Sequence, residues 1–85
     1  MERKITIKNP TGLHARPAAM LVKKAAEFSC EITLIKGDKK ANAKSIMNLL
    51  ALGLAANDEV TVVTAGEKEA EALQAIGDFL DSLKD

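Results

Sequence analysis

The sequence predicts an α+β fold in which three helices cover one face of a four-stranded antiparallel sheet, in the order β-α-β-β-α-β-α. Two patterns support this prediction. Four short stretches alternate apolar and polar side chains, as half-buried strands do, at residues 4–8, 31–36, 40–43 and 60–64. Three other stretches place apolar residues three and four positions apart, which is helical spacing. Because each strand has one apolar face, the helices are expected together on that face.

The first strand and the first helix are separated by a turn. Ile5 and Ile7 alternate with charged and polar residues until the turn dipeptide at 9–10 (Asn-Pro). Helical spacing begins near Arg16, and Pro17 suits the first helical turn, where its missing N–H is not needed. The apolar stripe of this helix is Ala18, Leu21, Val22, Ala25 and Phe28.

The middle of the chain predicts two more strands and a short helix. The alternation in EITLIK (31–36) is typical of a strand, and the Gly-Asp pair at 37–38 predicts a hairpin turn into a third strand near residues 40–43. Ser45 is the expected N-cap of a short helix, and Gly53 is expected to end it.

The chain ends in a strand and a long helix. Residues 60–64 (VTVVT) predict the fourth strand, and the last helix is expected from about Lys68 to Leu83. The apolar stripe of this helix is Leu73, Ile76, Leu80 and Leu83. No repeat, linker or low-complexity segment interrupts the sequence, so residues 1–85 are predicted to form a single domain.

The composition disfavours several classes of protein. Twelve basic residues balance twelve acidic ones and there is no tyrosine or tryptophan, so we expect no nucleic-acid partner. Cys30 is the only cysteine and His14 the only histidine, so we predict neither an internal disulfide nor a metal site, and no cofactor is expected. Cys30 is expected to be a small residue near a strand. The N-terminal MERKITIK lacks the apolar run of a signal peptide, and no segment approaches the roughly 20 apolar residues of a membrane span, so we predict a cytoplasmic protein without membrane insertion.

The lone histidine lies directly before the first predicted helix, within GLHARPAA (12–19). The first turn of a helix offers free N–H groups and the positive end of the helix dipole, an arrangement that suits phosphate. Arg16 adds a fixed positive charge, and Gly12 allows the loop to approach closely. A neutral imidazole is a nucleophile that can accept a phosphoryl group. These residues predict a phosphoryl-accepting histidine, with helix capping alone as the alternative.

The sequence contains no machinery for generating this phosphoryl group. It lacks a phosphate-binding loop, a glycine-rich kinase loop and a pair of catalytic carboxylates. We therefore expect another protein to supply the phosphoryl group and this chain to act as a carrier, not as an enzyme. A small enzyme with a histidine nucleophile is the alternative that these missing groups disfavour.

A second group of residues surrounds Ser45. The short helix that follows it can bury only one stripe, which Leu49 and Leu52 can share. Three apolar neighbours are then left facing solvent and are predicted to contact partner proteins: Ile46, Met47 and Leu50. Methionine suits a surface that must fit several partners.

Two motifs resemble those of one family. GLHARPAA (12–19) resembles the active-site signature of HPr, the histidine-containing phosphocarrier of the bacterial phosphoenolpyruvate:sugar phosphotransferase system. ANAKSIMNLLALG (41–53) resembles the second signature of that family. The resemblance spans essentially the whole chain and implies the open-faced β-sandwich of HPr.

The resemblance also implies a function. Enzyme I would phosphorylate Nδ1 of His14, and the phosphohistidine would pass the group to the A domains of enzymes II for sugar uptake. The phosphate would be held by Arg16 and by the helix N-terminus at Ala15, Arg16 and Pro17. A nitrogen-related or purely regulatory HPr paralogue is the alternative. His14 argues against the regulatory paralogue that lacks the histidine, and Pro17 against the nitrogen-related branch, where alanine is common.

KSIM (44–47) resembles the form of HPr that is regulated by serine phosphorylation. The resemblance implies that an HPr kinase/phosphorylase modifies Ser45 and that the product acts with a catabolite control protein in carbon catabolite repression. Because phosphate is favourable at a helix N-terminus, phosphoserine is expected to leave the fold intact and to repel an acidic partner surface. Asn48 and Leu50 depart from the regulated pattern, which often has glycine and methionine there.

One docking face is expected to combine the first helix with the apolar neighbours of Ser45. Its predicted members are Thr11, Leu13, Arg16, Ala19, Met20, Lys23, Lys44, Ile46, Met47 and Leu50. Lys23 and Lys44 are expected to steer acidic partners towards this face. Rapid handover to several partners favours a small, weak interface, and the chain is expected to be a monomer.

Overall fold

The computed structural model describes residues 1–83, and the last two residues of the predicted domain 1–85 lie outside the described residues. The elements follow one another in the predicted order. They are β1 (Glu2–Thr6), α1 (Ala15–Ala25), β2 (Glu31–Lys36), β3 (Lys39–Asn42), α2 (Ile46–Leu52), β4 (Glu59–Ala65) and α3 (Glu69–Asp81). The predicted type of every element is confirmed, and the bounds differ from the predicted ones by a few residues.

The four strands form one antiparallel sheet in the order β1-β4-β2-β3. β4 lies at the centre between β1 and β2, and β2 continues into β3 through the predicted turn at 37–38. Lys36 and Lys39 face each other across this turn, which makes it a two-residue hairpin. The predicted antiparallel sheet is therefore confirmed.

Each strand has a buried side and an open side. The register aligns apolar residues of the buried side across the sheet, with Ile5 opposite Val60, and Leu34 opposite both Val62 and Ala41. Residues of the two central strands that point to the other side are partly exposed, among them Thr33, Ile35, Thr61 and Val63. Successive side chains of a strand point to opposite faces, so covering one face buries half of each strand.

The three helices cover the buried face, as predicted, and the result is an open-faced sandwich. α1 packs against α2 and α3, and α3 packs against β1 and β4. The buried helical residues are Pro17, Ala18, Leu21 and Ala25 of α1, Leu49 and Leu52 of α2, and Ala72, Ile76, Gly77 and Leu80 of α3. Together with the buried strand residues, the apolar members form one hydrophobic core.

The helices bury narrower stripes than the sequence predicted. Four members of the predicted stripes are only partly buried: Val22, Phe28, Leu73 and Leu83. In α3 the small residues Ala72 and Gly77 are buried instead. A Cβ at Gly77 would lie 2.5 Å from Nη1 of Arg3, so the Arg3 side chain crosses the helix at this position. Small residues let α3 approach β1 closely, and hydrophobicity alone does not reveal such positions.

Cys30 is buried directly before β2, which confirms its prediction as a small residue near a strand. Within residues 1–83, no three histidine, cysteine, aspartate or glutamate side chains are grouped so that they could ligate a metal ion. None of the helices in this part of the chain is long and apolar enough to cross a membrane.

Candidate functional site

His14 is the N-cap residue of α1. Its backbone is extended (φ −96°, ψ −170°), the residue is exposed, and its carbonyl oxygen accepts a hydrogen bond from the N–H of Ala18 at 2.9 Å. Among the described residues, the imidazole ring makes no capping hydrogen bond with the first turn. The ring therefore does not close the helix start, which disfavours the alternative that His14 is only a cap.

The loop before His14 is fixed by hydrogen bonds. Asn9 is buried, and its Nδ2 donates to the carbonyl oxygen of Gly12 at 2.8 Å. The Gly12 N–H donates to the carbonyl oxygen of Asn9 at 3.2 Å. The N–H of Leu13 donates to the carbonyl oxygen of Leu54 at 3.1 Å. Leu13, which directly precedes His14, is therefore hydrogen-bonded to a second loop, the one that contains Leu54.

Gly12 lies against the backbone of this second loop. It has a positive φ of 65°, and a Cβ built on it would lie 2.3 Å from the carbonyl oxygen of Leu54 and 2.7 Å from Cα of Ala55. No side chain fits in this space. The close approach that the sequence indicated for Gly12 is therefore an approach to the neighbouring loop.

The first turn of α1 provides the charges and donors that an anion requires. It contains no acidic residue, and Arg16 is exposed. The N–H groups of Ala15 and Arg16 have no acceptor within the helix because of their position in the first turn. Pro17 was predicted as a phosphate-binding position, but proline has no N–H and Pro17 is buried. It can fix the geometry of the turn, and it cannot donate a hydrogen bond to phosphate.

A groove of about 630 Å³ lies beside His14. It is lined by Thr11, His14, Arg16, Pro17, Met20, Phe79, Ser82 and Leu83. The three lining residues from the end of α3 and beyond it were missed by the sequence analysis. The spacing of apolar residues predicts which side of α3 is buried, but it does not predict that the end of α3 lies beside α1.

Ser45 caps α2, as predicted. Its Oγ accepts a hydrogen bond from the N–H of Asn48 at 3.3 Å, and Gly53, in a left-handed conformation, ends the helix. Asn48 also has a role that the sequence analysis did not identify. Its Oδ1 accepts a hydrogen bond from the N–H of Asn42 at 3.4 Å, which links α2 to the end of β3.

The two sides of α2 differ in the predicted way. Leu49 and Leu52 are buried in the core. By contrast, Ile46 is 37% exposed, Met47 is 74% exposed and Leu50 is 41% exposed. Three large apolar side chains on one short helix therefore remain available for contact with another protein.

The remaining members of the predicted docking face divide into exposed and buried residues. Exposed members on α1 or in the loop before it are Thr11, Ala19, Met20 and Lys23. Leu13 was predicted for this face, and that prediction is wrong, because Leu13 is 4% exposed and belongs to the core. Lys44 is half-buried, and its Nζ donates to the carbonyl oxygen of Phe28 at 2.6 Å, so its ammonium group is already bonded near the end of α1.

Comparison with known proteins agrees with this geometry. Residues 1–82 match the family PTS-HPr, described as the PTS HPr component phosphorylation site. Phosphocarrier protein HPr from Buchnera aphidicola subsp. Baizongia pistaciae is 46% identical over 83 residues, which cover 98% of each chain.

Solved structures have the same fold. HPr-C-His from Thermoanaerobacter tengcongensis has a TM-score of 0.91 at 46% identity, covering 96% of this chain and 92% of that one. Crh, a catabolite repression protein of Bacillus subtilis solved as a dimer with a swapped domain, has a TM-score of 0.78 at 41% identity, covering 95% of each chain.

Replacing Gly12 by alanine is expected to destabilise the protein far more than the same change at Gly37. Gly37 has a similar φ, 61° against 65°, but a Cβ there would meet no atom within 4 Å. Gly37→Ala should therefore cost only the left-handed backbone penalty of about 1–2 kcal/mol. Gly12→Ala adds a collision with residues 54–55, and we expect a loss of about 3 kcal/mol or more in the free energy of unfolding, measured by urea denaturation. Equal losses in the two variants would contradict the tight contact between the loops.

Proposed function

The chain belongs to the HPr family, and we propose that it is a phosphocarrier that takes a phosphoryl group from phospho-enzyme I on Nδ1 of His14 and gives it to the A domains of enzymes II during sugar uptake. The observation that supports this most strongly is the placement of His14, exposed at the start of a helix whose first turn has no acidic residue. A nitrogen-related or regulatory paralogue would use the same fold, and the enzyme I that charges the chain distinguishes the two.

The transfer requires a nucleophile and a site for negative charge. The lone pair on Nδ1 of neutral His14 attacks phosphorus and forms the N–P bond, while the bond from phosphorus to the donor breaks and leaves its electron pair on the donor. The proton on Nε2 stays in place, so this step needs no general base. A nucleophile of the acceptor protein then attacks the same phosphorus and returns His14 to its neutral form.

The start of α1 is proposed to hold the phosphoryl group. The N–H groups of Ala15 and Arg16 can donate to its oxygens, and the Arg16 guanidinium adds a charged donor beside the same groove. Because these donors are in place before the reaction, they stabilise the charge during transfer without reorganisation. Pro17 contributes through its fixed φ, which favours the first turn of a helix.

We propose that the chain acts in the cytoplasm as a stoichiometric carrier and not as an enzyme. The phosphoryl group enters from one protein and leaves to another, so each molecule is consumed and regenerated. On this account it needs no metal or cofactor of its own and binds neither nucleic acid nor membrane. The acting form is proposed to be a monomer, because β1 already pairs with β4 of the same chain along Glu2–Thr6 and completes the sheet. Light scattering tests this against a swapped dimer of the Crh kind.

Partners are proposed to dock on exposed residues of α1, of α2 and of the loop before α1. These are Thr11, Arg16, Ala19, Met20, Lys23, Ile46, Met47 and Leu50. Lys23 is exposed and can attract an acidic partner surface, whereas the bonded ammonium group of Lys44 contributes less. An interface of below about 1,200 Å² would allow rapid release after transfer.

Ser45 is proposed as a regulatory phosphorylation site for an HPr kinase/phosphorylase, with the phosphorylated chain acting together with a catabolite control protein. Ser45 lies beside Ile46 and Met47, so a phosphate on Ser45 would add a charge of about −2 to the docking surface. The serine oxygen accepts its capping hydrogen bond from Asn48, and phosphate oxygens can keep this role as acceptors.

Incubation with enzyme I, magnesium and phosphoenolpyruvate is expected to add one acid-labile phosphoryl group, measured by intact mass and by phosphorus NMR. His14→Ala should gain none, because the nucleophile is gone. Arg16→Ala should slow transfer about 100-fold, since it removes a charged donor to the phosphoryl group. Lys24→Ala, in the last turn of α1, is the control and should transfer normally.

Two results would contradict this account of His14. Labelling that persists in His14→Ala would place the phosphoryl group on another residue. Charging of the wild-type chain by a nitrogen-related enzyme I, and not by the enzyme I of a sugar system, would favour the alternative branch.

Ser45→Asp is expected to change the free energy of unfolding by less than about 0.5 kcal/mol, because aspartate caps a helix as well as serine does. The same variant should accept the phosphoryl group from enzyme I about tenfold more slowly, because it adds negative charge to the docking surface. Ser45→Ala should show the opposite pattern, with a loss of about 1 kcal/mol from the missing cap and normal transfer. Calorimetry measures the free energy of unfolding, and the transfer assay measures the rate. If Ser45→Asp is strongly destabilised, the negative charge slows transfer by disrupting the fold and not by repelling the partner.

A further inference from the structure

Lys36, the last residue of β2, and Asp58, directly before β4, form an ion pair. The Lys36 Nζ and the Asp58 Oδ2 are 2.9 Å apart, and the two side chains are 34% and 29% exposed. The Lys36 Nζ also donates to the carbonyl oxygen of Gly53 at 2.9 Å. The Asp58 Oδ2 also accepts a hydrogen bond from the N–H of Ala55 at 2.8 Å. Each member of the pair therefore also bonds the backbone of residues 53–58, called here the support loop.

The two backbone groups that the ion pair bonds belong to the neighbours of Leu54. Gly53 precedes Leu54 and Ala55 follows it, so the ion pair restrains the chain on both sides of this residue. The carbonyl oxygen of Leu54 is the acceptor for the N–H of Leu13, the residue directly before His14. The pair is thus connected to His14 through a short series of backbone contacts.

The end of the support loop is also hydrogen-bonded to Ile7, the residue directly after β1. The N–H of Ile7 donates to the carbonyl oxygen of Asp58 at 2.9 Å, and the N–H of Asn57 donates to the carbonyl oxygen of Ile7 at 2.7 Å.

The hydrogen bond from Lys36 lowers the pKa of the Asp58 carboxyl below its ordinary value of 3.8, and the N–H of Ala55 lowers it further. The carboxylate is therefore charged, and the pair intact, at neutral pH.

We propose that Lys36 and Asp58 are positioning residues for the phosphorylation of His14, acting by holding the support loop against which Gly12 and Leu13 rest. This inference deepens the proposed function and rests on it. Neither side chain contacts the groove beside His14, so neither is expected to touch the phosphoryl group.

The contact at Gly12 explains why a small movement of the support loop would reach His14. There is no space between Gly12 and the backbone of residues 54–55, so the two loops move together. Misplacement of a reacting group by about 1 Å can reduce a reaction rate by about 100-fold. Loss of the ion pair is expected to displace the support loop by less than this distance. We therefore expect a reduction of about threefold to tenfold in the rate of phosphoryl transfer.

The test measures kcat and KM for transfer from enzyme I, with the protein as the phosphoryl acceptor. The variants are Asp58→Asn, Lys36→Met and the double variant, at a temperature where NMR shows all of them to be folded. We expect kcat to fall about threefold to tenfold with KM unchanged, because the docking residues are not altered. The double variant should be no slower than the slower single variant, because either change breaks the same ion pair. Lys36→Arg should recover most of the rate, since a guanidinium can bond both Asp58 and Gly53.

The control is a second ion pair of similar geometry. The Arg3 Nη1 and the Asp78 Oδ1 are 3.1 Å apart. This pair joins β1 to α3 and bonds neither the support loop nor the loop before His14. Arg3→Met and Asp78→Asn should leave kcat unchanged. If these variants slow transfer as much as the Lys36 and Asp58 variants do, the effect is general loss of stability and the proposal is overturned.

Amide chemical shifts in the unphosphorylated protein provide a readout that does not need enzyme I. The shifts of Leu13, His14 and Ala15 should change in Asp58→Asn and Lys36→Met and stay the same in Asp78→Asn. Unchanged shifts, or an unchanged kcat in folded variants, would overturn the positioning role. A wild-type chain that enzyme I does not phosphorylate would instead overturn the proposed function, and the shifts alone would then decide whether the ion pair orders the loop.

Discussion

The presentation of His14 depends on one close contact, in which Gly12 and Leu13 lie against the backbone of residues 54–55. Gly12 can come this near because it has no Cβ, and Leu13 is held there by the hydrogen bond of its N–H to Leu54. The Leu13 side chain then enters the core, and the next residue, His14, is left exposed where α1 begins. One contact between loops thus decides which of two adjacent side chains is buried and which is exposed.

His14 and Ser45 are both N-cap residues with extended backbones, and they use this position differently. The serine closes its own helix, because its oxygen accepts the N–H of Asn48. The imidazole does not cap the first turn of α1, so the N–H groups of Ala15 and Arg16 can serve a phosphoryl group instead. A nitrogen-linked phosphoryl group is suited to onward transfer, whereas a serine phosphate is suited to lasting regulation. On this account one fold combines a transfer site and a regulatory site at the starts of two helices that pack together.

Features that depend on local spacing could be predicted from the sequence. The burial of Leu49 and the exposure of Met47 follow from helical geometry, and the cap at Ser45 follows from residue type and position. Features that depend on contacts between distant segments could not be predicted. Leu13 was assigned to the surface because nothing in GLHARPAA shows that its N–H bonds Leu54.

The same limit applies to the groove beside His14 and to the ion pair of Lys36 and Asp58. Phe79 and Leu83 line the groove only because the end of α3 lies beside α1 in the folded chain. Lys36 and Asp58 are far apart in the sequence, and each is an ordinary charged residue until the fold brings them within 2.9 Å. Pro17, which was predicted as part of the phosphate-binding helix start, is buried and has no N–H, so it can contribute there only through its fixed φ.

Amide proton NMR before and after phosphorylation tests whether the start of α1 holds the phosphoryl group on His14. The amide protons of Ala15 and Arg16 should show large downfield shifts, because they would become donors to phosphate oxygens. The amide proton of Ala18 already donates to the His14 carbonyl oxygen and should move little, which makes it an internal reference. Equal, small shifts at all three positions would contradict the account, because the phosphoryl group would then lie away from the helix start.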